Sequence, residues 1–219
     1  MRGGYDAEDV IQIHFPVVFA GYASCVVSLA FCITVVFLPP GPFNDNDGSL
    51  RYISDGLNTY CGWSSVFMGP CSTVILVLQL LAATHMQNKS AAGWAFLQAL
   101  GWNVVVGVQD TGWTVHYIGL ALFLVGNIVY NWITSGSESV YGSITYKRIN
   151  IISILLSLVF FTFAAVCVLF PGLKDAAVLS SFAVAFEFTV LFSIVSENFC
   201  LVHALDSFHE IHLRFVPKP

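Results

Sequence analysis

Long apolar runs separated by short polar punctuation dominate the pattern of this chain. An α-helix crossing a bilayer core needs about 20 apolar residues. Six runs reach or approach that length, at residues 15–38, 63–84, 92–108, 114–135, 151–170 and 176–203. Pro39-Pro40-Gly41-Pro42 ends the first and Pro171-Gly172 the fifth, because proline and glycine cannot continue a helix cheaply. The third run is the shortest. About five residues join it to the fourth, which forces an antiparallel helical hairpin. The pattern therefore predicts an all-α, polytopic, six-transmembrane-helix bundle over 15–203. A 1–14 N-terminal tail, an outer loop at 39–62 and an amphipathic 204–219 C-terminal tail complete it. No internal repeat is legible, which argues against a secondary transporter, since those often carry one.

Composition sharpens this reading. The 219 residues are 57% hydrophobic and 10% charged, with a mean hydropathy of +0.78, whereas soluble domains carry roughly 25% charged residues. So few charges cannot cover a water-facing surface. A net charge of −5 with eight Lys plus Arg excludes nucleic acid as a partner and a polybasic lipid anchor. The first run is too long, its leader (Asp6, Glu8, Asp9) too acidic and its flank too poor in a small-residue cleavage site for a signal peptide, so it is expected to be retained. Cys25, Cys32, Cys71, Cys167 and Cys200 fall in or beside apolar runs, where cysteine behaves as a small hydrophobe. Cys61 lies too far from Cys71 along one helix for a bridge. No disulfide framework is implied.

The basic residues orient the bundle. With both termini on one side, that side holds Arg2, Lys89, Lys147, Arg148, Arg214 and Lys218, and the other only Arg51 and Lys174. Both termini are thus expected in the cytoplasm. The sequon Asn88-Lys89-Ser90 falls on the cytoplasmic side, where it stays unmodified.

Polar residues inside the runs carry the chemistry, since hydrocarbon offers them no partner. At about 100° per residue, His116, Asn127 and Asn131 lie within a stripe about 60° wide on the fourth span, with Gly119 and Gly126 beside it. Small residues next to polar ones mark a face that meets protein. A second stripe joins Ser180, Glu187 and Asn198 on the last span. Glu187 is read as the one acid deep in a span, needing a neighbour such as Asn127, and the two stripes are expected to face each other. Two interpretations of Glu187 stand side by side: a packing hydrogen bond, or a ligand- or proton-linked role. Asn103 on the third span, Gln109 and Asp110 in the hairpin turn, and His116 could together border a small ligand or lipid pocket near the outer surface. For the turn itself the plainer reading is a solvated corner.

Other motifs fall short. A zinc-protease helix needs two histidines four apart around a glutamate, and "HEIH" at residues 209–212 has them three apart. Interleaved Leu205, Phe208, Ile211 and Phe215 suggest a tail lying along the membrane. "DNDG" at 45–48 lacks the further ligands of a calcium loop. "YGSI" at 141–144 has the spacing of a tyrosine sorting signal. No nucleophile elbow, phosphate loop or paired-carboxylate arrangement occurs. Neither catalytic residues, metal ligands nor a cofactor are expected.

Several short motifs are similar to those of a known family. Ile53-Ser54-Asp55-Gly56 resembles an "ISxxG" signature, "VVGVQDTGWTVHYIG" at residues 105–119 resembles a "VVGNFQ…VHYVG" hairpin, Tyr130 follows Gly126 as in that pattern, and Glu187-Phe188 resembles a Glu-Trp pair. These resemble the six-span damage-regulated autophagy modulators (DRAM), grouped with tentonin and the Frag and Sfk proteins. The chain departs from them in carrying "NTYCGW" where "PPE" is usual and "VQD" in place of "NFQ". The resemblance implies six helices and cytoplasmic termini. It also implies roles spread over autophagy and lysosome modulation, phosphoinositide-kinase regulation, a mechanosensitive channel and GPI-anchor lipid remodelling.

Three functions follow. The favoured one is a non-enzymatic regulatory or auxiliary protein that binds an integral-membrane partner or a membrane lipid and modulates its location or activity. It would sit in the plasma membrane or in endosomal or lysosomal membranes. The second is a lipid-handling or lipid-remodelling factor at an outer-leaflet pocket, with His116 and Asp110 as acid and base and Glu187 behind. The third is an auxiliary channel or transporter subunit.

Overall fold

The computed structural model describes residues 11–13, 17–38, 53–108, 114–136, 144–170, 177–205 and 213–215. The chain is helical, with α1 Val17–Phe37, α2 Ile53–Thr59, α3 Cys61–His85, α4 Lys89–Gly107, α5 Thr114–Ser135, α6 Ile144–Leu169 and α7 Ala177–Ala204. Among the described residues, four helical stretches are long and apolar enough to cross a membrane: Val18–Phe37, Cys61–His85, Thr114–Ser135 and Phe182–Ala204.

The six long helices close into a ring. Chain order gives the seams from α3 to α7, and α1 sits between α3 and α7 to shut it. Each seam is antiparallel. Tyr22, early in α1, meets Phe199, late in α7, at 5.6 Å between ring centroids. Phe31 meets Phe67 across α1 and α3 at 5.3 Å, and Phe160 stacks on Phe186 across α6 and α7 at 6.2 Å. The outside of the ring is apolar: Phe19, Phe37, Trp132 and Phe182 are each more than two-thirds exposed. Such a continuous exposed band is not compatible with water.

Glycine sets the tightest seam. A Cβ on Gly101 would run into the backbone nitrogen of Phe123, and one on Gly126 would stand 2.5 Å from the backbone nitrogen of Gln98. The α4 and α5 backbones are therefore in direct contact, as small residues allow in membranes. Gly119 and Gly126, expected to face protein, are both buried.

The α3–α4 turn is closed by a Schellman arrangement. The Asn88 N–H donates to the Ala83 carbonyl and the Gln87 N–H to that of Thr84, with Gln87 in the left-handed region at φ 54°. Asn88 then caps α4, its Oδ1 accepting from the Ala91 N–H at 3.1 Å. α3 and α4 thus begin and end within a few residues of the expected second and third spans. α6 begins at Ile144 rather than 151, so it carries Lys147 and Arg148 on its first turns.

Two regions differ from the pattern-based expectation. The 39–62 segment is not one solvated loop: Ile53–Thr59 is helix α2, with Ile53, Leu57 and Asn58 buried. It wedges against Val35 and Val36 of α1 and Val105 and Val106 of α4. Leu213–Phe215 of the C-terminal tail forms strand β2, antiparallel to strand β1 at Ile11–Ile13, pairing Ile11 with Phe215 and Ile13 with Leu213. Segments near the two ends of the chain therefore meet. The 45–48 and 209–212 motifs lie outside the described residues.

If the α4–α5 seam sets the tightness of the ring, Gly126→Leu should lower the unfolding free energy obtained from a denaturing-detergent titration by roughly 1–3 kcal/mol, the ordinary cost of overpacking. A Gly126→Leu protein that unfolds with the unmodified one would show that the helices do not touch there.

Candidate functional site

Asn127 and Asn131 stand one turn apart on the inner face of α5, fully buried, and a network spreads from them to four other helices. The Gln79 Nε2 on α3 donates to Gln98 Oε1 on α4 at 3.0 Å. Gln98 Nε2 in turn donates to Asn127 Oδ1 at 2.9 Å, an oxygen that also accepts from Asn131 Nδ2 at 3.2 Å. From α6, Asn150 Nδ2 donates to the Asn131 carbonyl at 3.4 Å. Ser153 Oγ donates to Glu197 Oε2 on α7 at 3.0 Å, and the Glu197 carboxyl interacts with Asn131 and Asn127 as well. Every one of these side chains is at most 4% exposed. The network lies in the half of the ring nearest the chain ends, since Asn131 is four residues from the end of α5 and Glu197 seven from the end of α7.

The opposite half carries the second acid. Glu187 caps helix α2: its carboxylate accepts from the Ile53 N–H at 2.6 Å and the Ser54 N–H at 3.1 Å. The first amides of a helix have no partner within it and favour negative charge. The far end of α2 is met in the same way, the Ser64 Oγ on α3 donating to the Leu57 carbonyl at 3.2 Å. A short helix buried among long ones is thus satisfied at both ends by side chains from the ring.

Two chambers lie inside the ring. The inner one, about 70 Å³ and partly open, is lined by Ser28, Ser72, Gln79, Gln98 and Asn198 with apolar side chains above them. The outer one, about 50 Å³, is almost entirely apolar except where Glu187 and Ser54 close it. Trp102, Phe123, Leu191 and Ile194 border both, and the rings of Trp102 and Phe123 stand 4.9 Å apart at this waist.

The sequence-derived candidates divide between these places. Asn127 and Asn131 are the centre of the network, and Asn198 lines the inner chamber. Glu187 meets α2 rather than Asn127, and the acid beside Asn127 is Glu197. The α5 and α7 polar groups are thus brought together one position round α7 from the expected face. Ser180 lies in α7, with its side chain outside the described residues. His116 is buried at the start of α5, next to the Tyr117 ring. Asn103 is exposed on α4 and donates to Ser72 Oγ on α3 at 3.0 Å and to the Ala99 carbonyl at 2.8 Å. It therefore serves the α3–α4 seam. Gln109 and Asp110 lie outside the described residues.

Reasoning from the sequence missed Gln79, Gln98, Asn150, Ser153 and Glu197. A signal was present for two of them: the glutamines interrupt the runs "VLQLL" and "AFLQAL", and a primary amide costs as much in hydrocarbon there as on α5. Among the described residues, no group of three His, Cys, Asp or Glu is placed to hold a metal. Cys25, Cys32, Cys61, Cys71 and Cys200 are free thiols.

Comparison with known proteins yields no match to a family model, a curated protein or a solved structure.

The network generates a size-matched test. Glu197→Gln keeps the shape and the hydrogen-bonding edge and should cost less than about 1 kcal/mol. Glu197→Leu strands the Ser153 hydroxyl and two amides and should cost about 2 kcal/mol or more. Equal unfolding midpoints for the two substitutions would show that the carboxyl takes no part in holding the helices.

Proposed function

We propose that this chain is a non-enzymatic integral membrane protein whose six long helices all cross the bilayer, with both termini in the cytoplasm. On this reading it is a regulatory or auxiliary protein that binds a membrane lipid or a partner membrane protein. The observation that carries the proposal is the segregation of the ring, with polar side chains sealed inside and large apolar ones outside. Closure supports counting α4 and α6 as crossings, because a ring with lipid outside has no place for a helix that avoids the bilayer. An even number of crossings puts both ends on one side, in keeping with the pairing of β1 with β2 and with the excess of basic residues there.

The nature of the buried groups supports holding over reacting. Amides neither take nor release a proton in ordinary catalysis, and the two acids are each engaged by donors. The resemblance to the DRAM-like proteins fits the same reading. Two of the motifs that suggest it, Ile53-Ser54-Asp55-Gly56 and Glu187-Phe188, are far apart in sequence yet meet where Glu187 caps α2. The enzymatic alternative at His116 has less support, since Asn103 is engaged across the α3–α4 seam instead.

Glycosylation acceptors introduced one at a time should be modified at 44–48 in the outer loop and remain unmodified at 137–140, with native Asn88 also bare. Modification at Asn88 or at 137–140 would overturn the topology. Native mass spectrometry of the protein released from its own membrane should show a bound lipid or a stoichiometric membrane-protein partner. A bare chain under conditions that preserve other membrane complexes would count against a binding role.

A further inference from the structure

We propose that the outward face of the α3–α4 seam is a docking surface for a transmembrane helix of another protein, one that donates a neutral hydrogen bond to Asn103 Oδ1. This deepens the reading of the chain as a bilayer-spanning auxiliary protein and rests on it. Asn103 is exposed on α4 and bonded to Ser72 of α3. Ser72 lies eleven residues from Cys61 and thirteen from His85, the two ends of α3, which at the helical rise is roughly 16 and 20 Å. The Asn103 amide therefore stands near mid-bilayer, where lipid supplies no partner. Exposed hydroxyls elsewhere on the ring meet that problem within their own helices. Thr34, Thr73, Thr162, Thr189 and Ser196 each donate to the carbonyl one turn back, at 2.7–3.0 Å. Asn103 does so with its nitrogen alone. Its Nδ2 donates to the Ala99 carbonyl at 2.8 Å and to Ser72 Oγ at 3.0 Å, while no donor among the described residues reaches Oδ1. A carbonyl only accepts, so the atom beside Ala99 is the nitrogen and the atom left open is the oxygen.

The surface beside Oδ1 admits a helix. A Cβ on Gly69 would stand 3.8 Å from Oδ1, and one on Gly62 would meet nothing within 4 Å. At about 100° per residue, Gly62, Gly69 and Thr73 fall within roughly 40° on α3. Small residues let helix backbones approach closely in lipid, which brings a donor within reach of Oδ1. Complementarity identifies the occupant. Both Nδ2 hydrogens of Asn103 are spent, and so is the Thr73 hydroxyl hydrogen, which goes to the Gly69 carbonyl. What remains open at Asn103 is an acceptor. A second copy of this chain, docked face to face, would set oxygen against oxygen there, so the partner is a different protein. Charge narrows its chemistry further. α3 contains no Asp, Glu, Lys or Arg, and α4 has only Lys89, at its opposite end. A charged donor would find no counter-charge on this face, so the partner's donor is a neutral hydroxyl or amide in its span: Ser, Thr, Asn or Gln.

The test uses the fluorescently labelled full chain in phosphatidylcholine vesicles with two labelled 21-residue Leu–Ala transmembrane peptides, identical except for one central Ser or Ala. Energy transfer from chain to peptide should show the Ser peptide binding about three- to tenfold more tightly, the range expected for one hydrogen bond between helices in lipid. This comparison needs no variant, so no folding defect enters it. Gly69→Leu leaves both Asn103 bonds in place, has room for its Cβ and extends over Oδ1. It should bring the Ser peptide down to the level of its Ala twin, and Asn103→Leu should do the same. Equal binding of the two peptides, or a Ser advantage that survives Gly69→Leu, would overturn the assignment. So would energy transfer between two copies of the chain that Gly69→Leu removes, which would make the face a self-association surface. Full displacement of the Ser peptide by an equimolar long-chain alcohol would give the acceptor to a hydroxylated lipid instead. Any of these with six crossings intact removes the docking surface alone. Loss of α4 as a crossing in the glycosylation map removes the reading beneath it.

Discussion

Hydrocarbon offers no hydrogen bonds, and that constraint organises this molecule. Each polar group at membrane depth must find a protein partner or a wet cavity. The interior of the ring is where those partners are. Apolar contact between helices gives little net drive in lipid, because acyl chains are as apolar as leucine. What distinguishes one helix arrangement from another is therefore close backbone approach and buried polar pairing. Gly101 and Gly126 supply the first, and the amides from Gln79 to Asn131 supply the second. The two are coupled: Gly126 brings α5 against Gln98, and Asn127, the next residue, accepts the Gln98 amide.

The same constraint explains α2. A seven-residue helix has more unpaired backbone groups than paired ones. Buried against α1 and α4, it persists because Glu187 accepts from its first amides and Ser64 donates toward its last turn. The carboxylate on α7 thus has partners in the backbone of α2. Those amides give the acid hydrogen bonds within the ring.

Much of this was legible along the chain, and the part that was not has a physical reason. Apolar run length placed the long helices to within a few residues, except α6, whose first two turns are polar enough to read as loop. The period of α5 placed Asn127, Asn131, Gly119 and Gly126 on one protein-facing side. Helix α2 was hidden by its composition, because Ser54, Asp55, Gly56 and Asn58 are turn formers in isolation and only the contacts of Ile53 and Leu57 with the ring make them helical. The partner of Glu187 was unreadable for a related reason: a backbone amide leaves no mark in the sequence. Glu197 was missed because angular stripes were drawn through Glu187, and one residue along α7 turns the face by about 100°.

The two acids divide the ring into sections with different duties. Glu197 and the amides bind five helices together near the chain ends, and Glu187 with α2 closes the opposite end. A ring held at both ends does not depend on its middle for cohesion. There, Trp102, Phe123, Leu191 and Ile194 pack between two small spaces. Interiors are normally packed to crystal density, and voids cost contact energy.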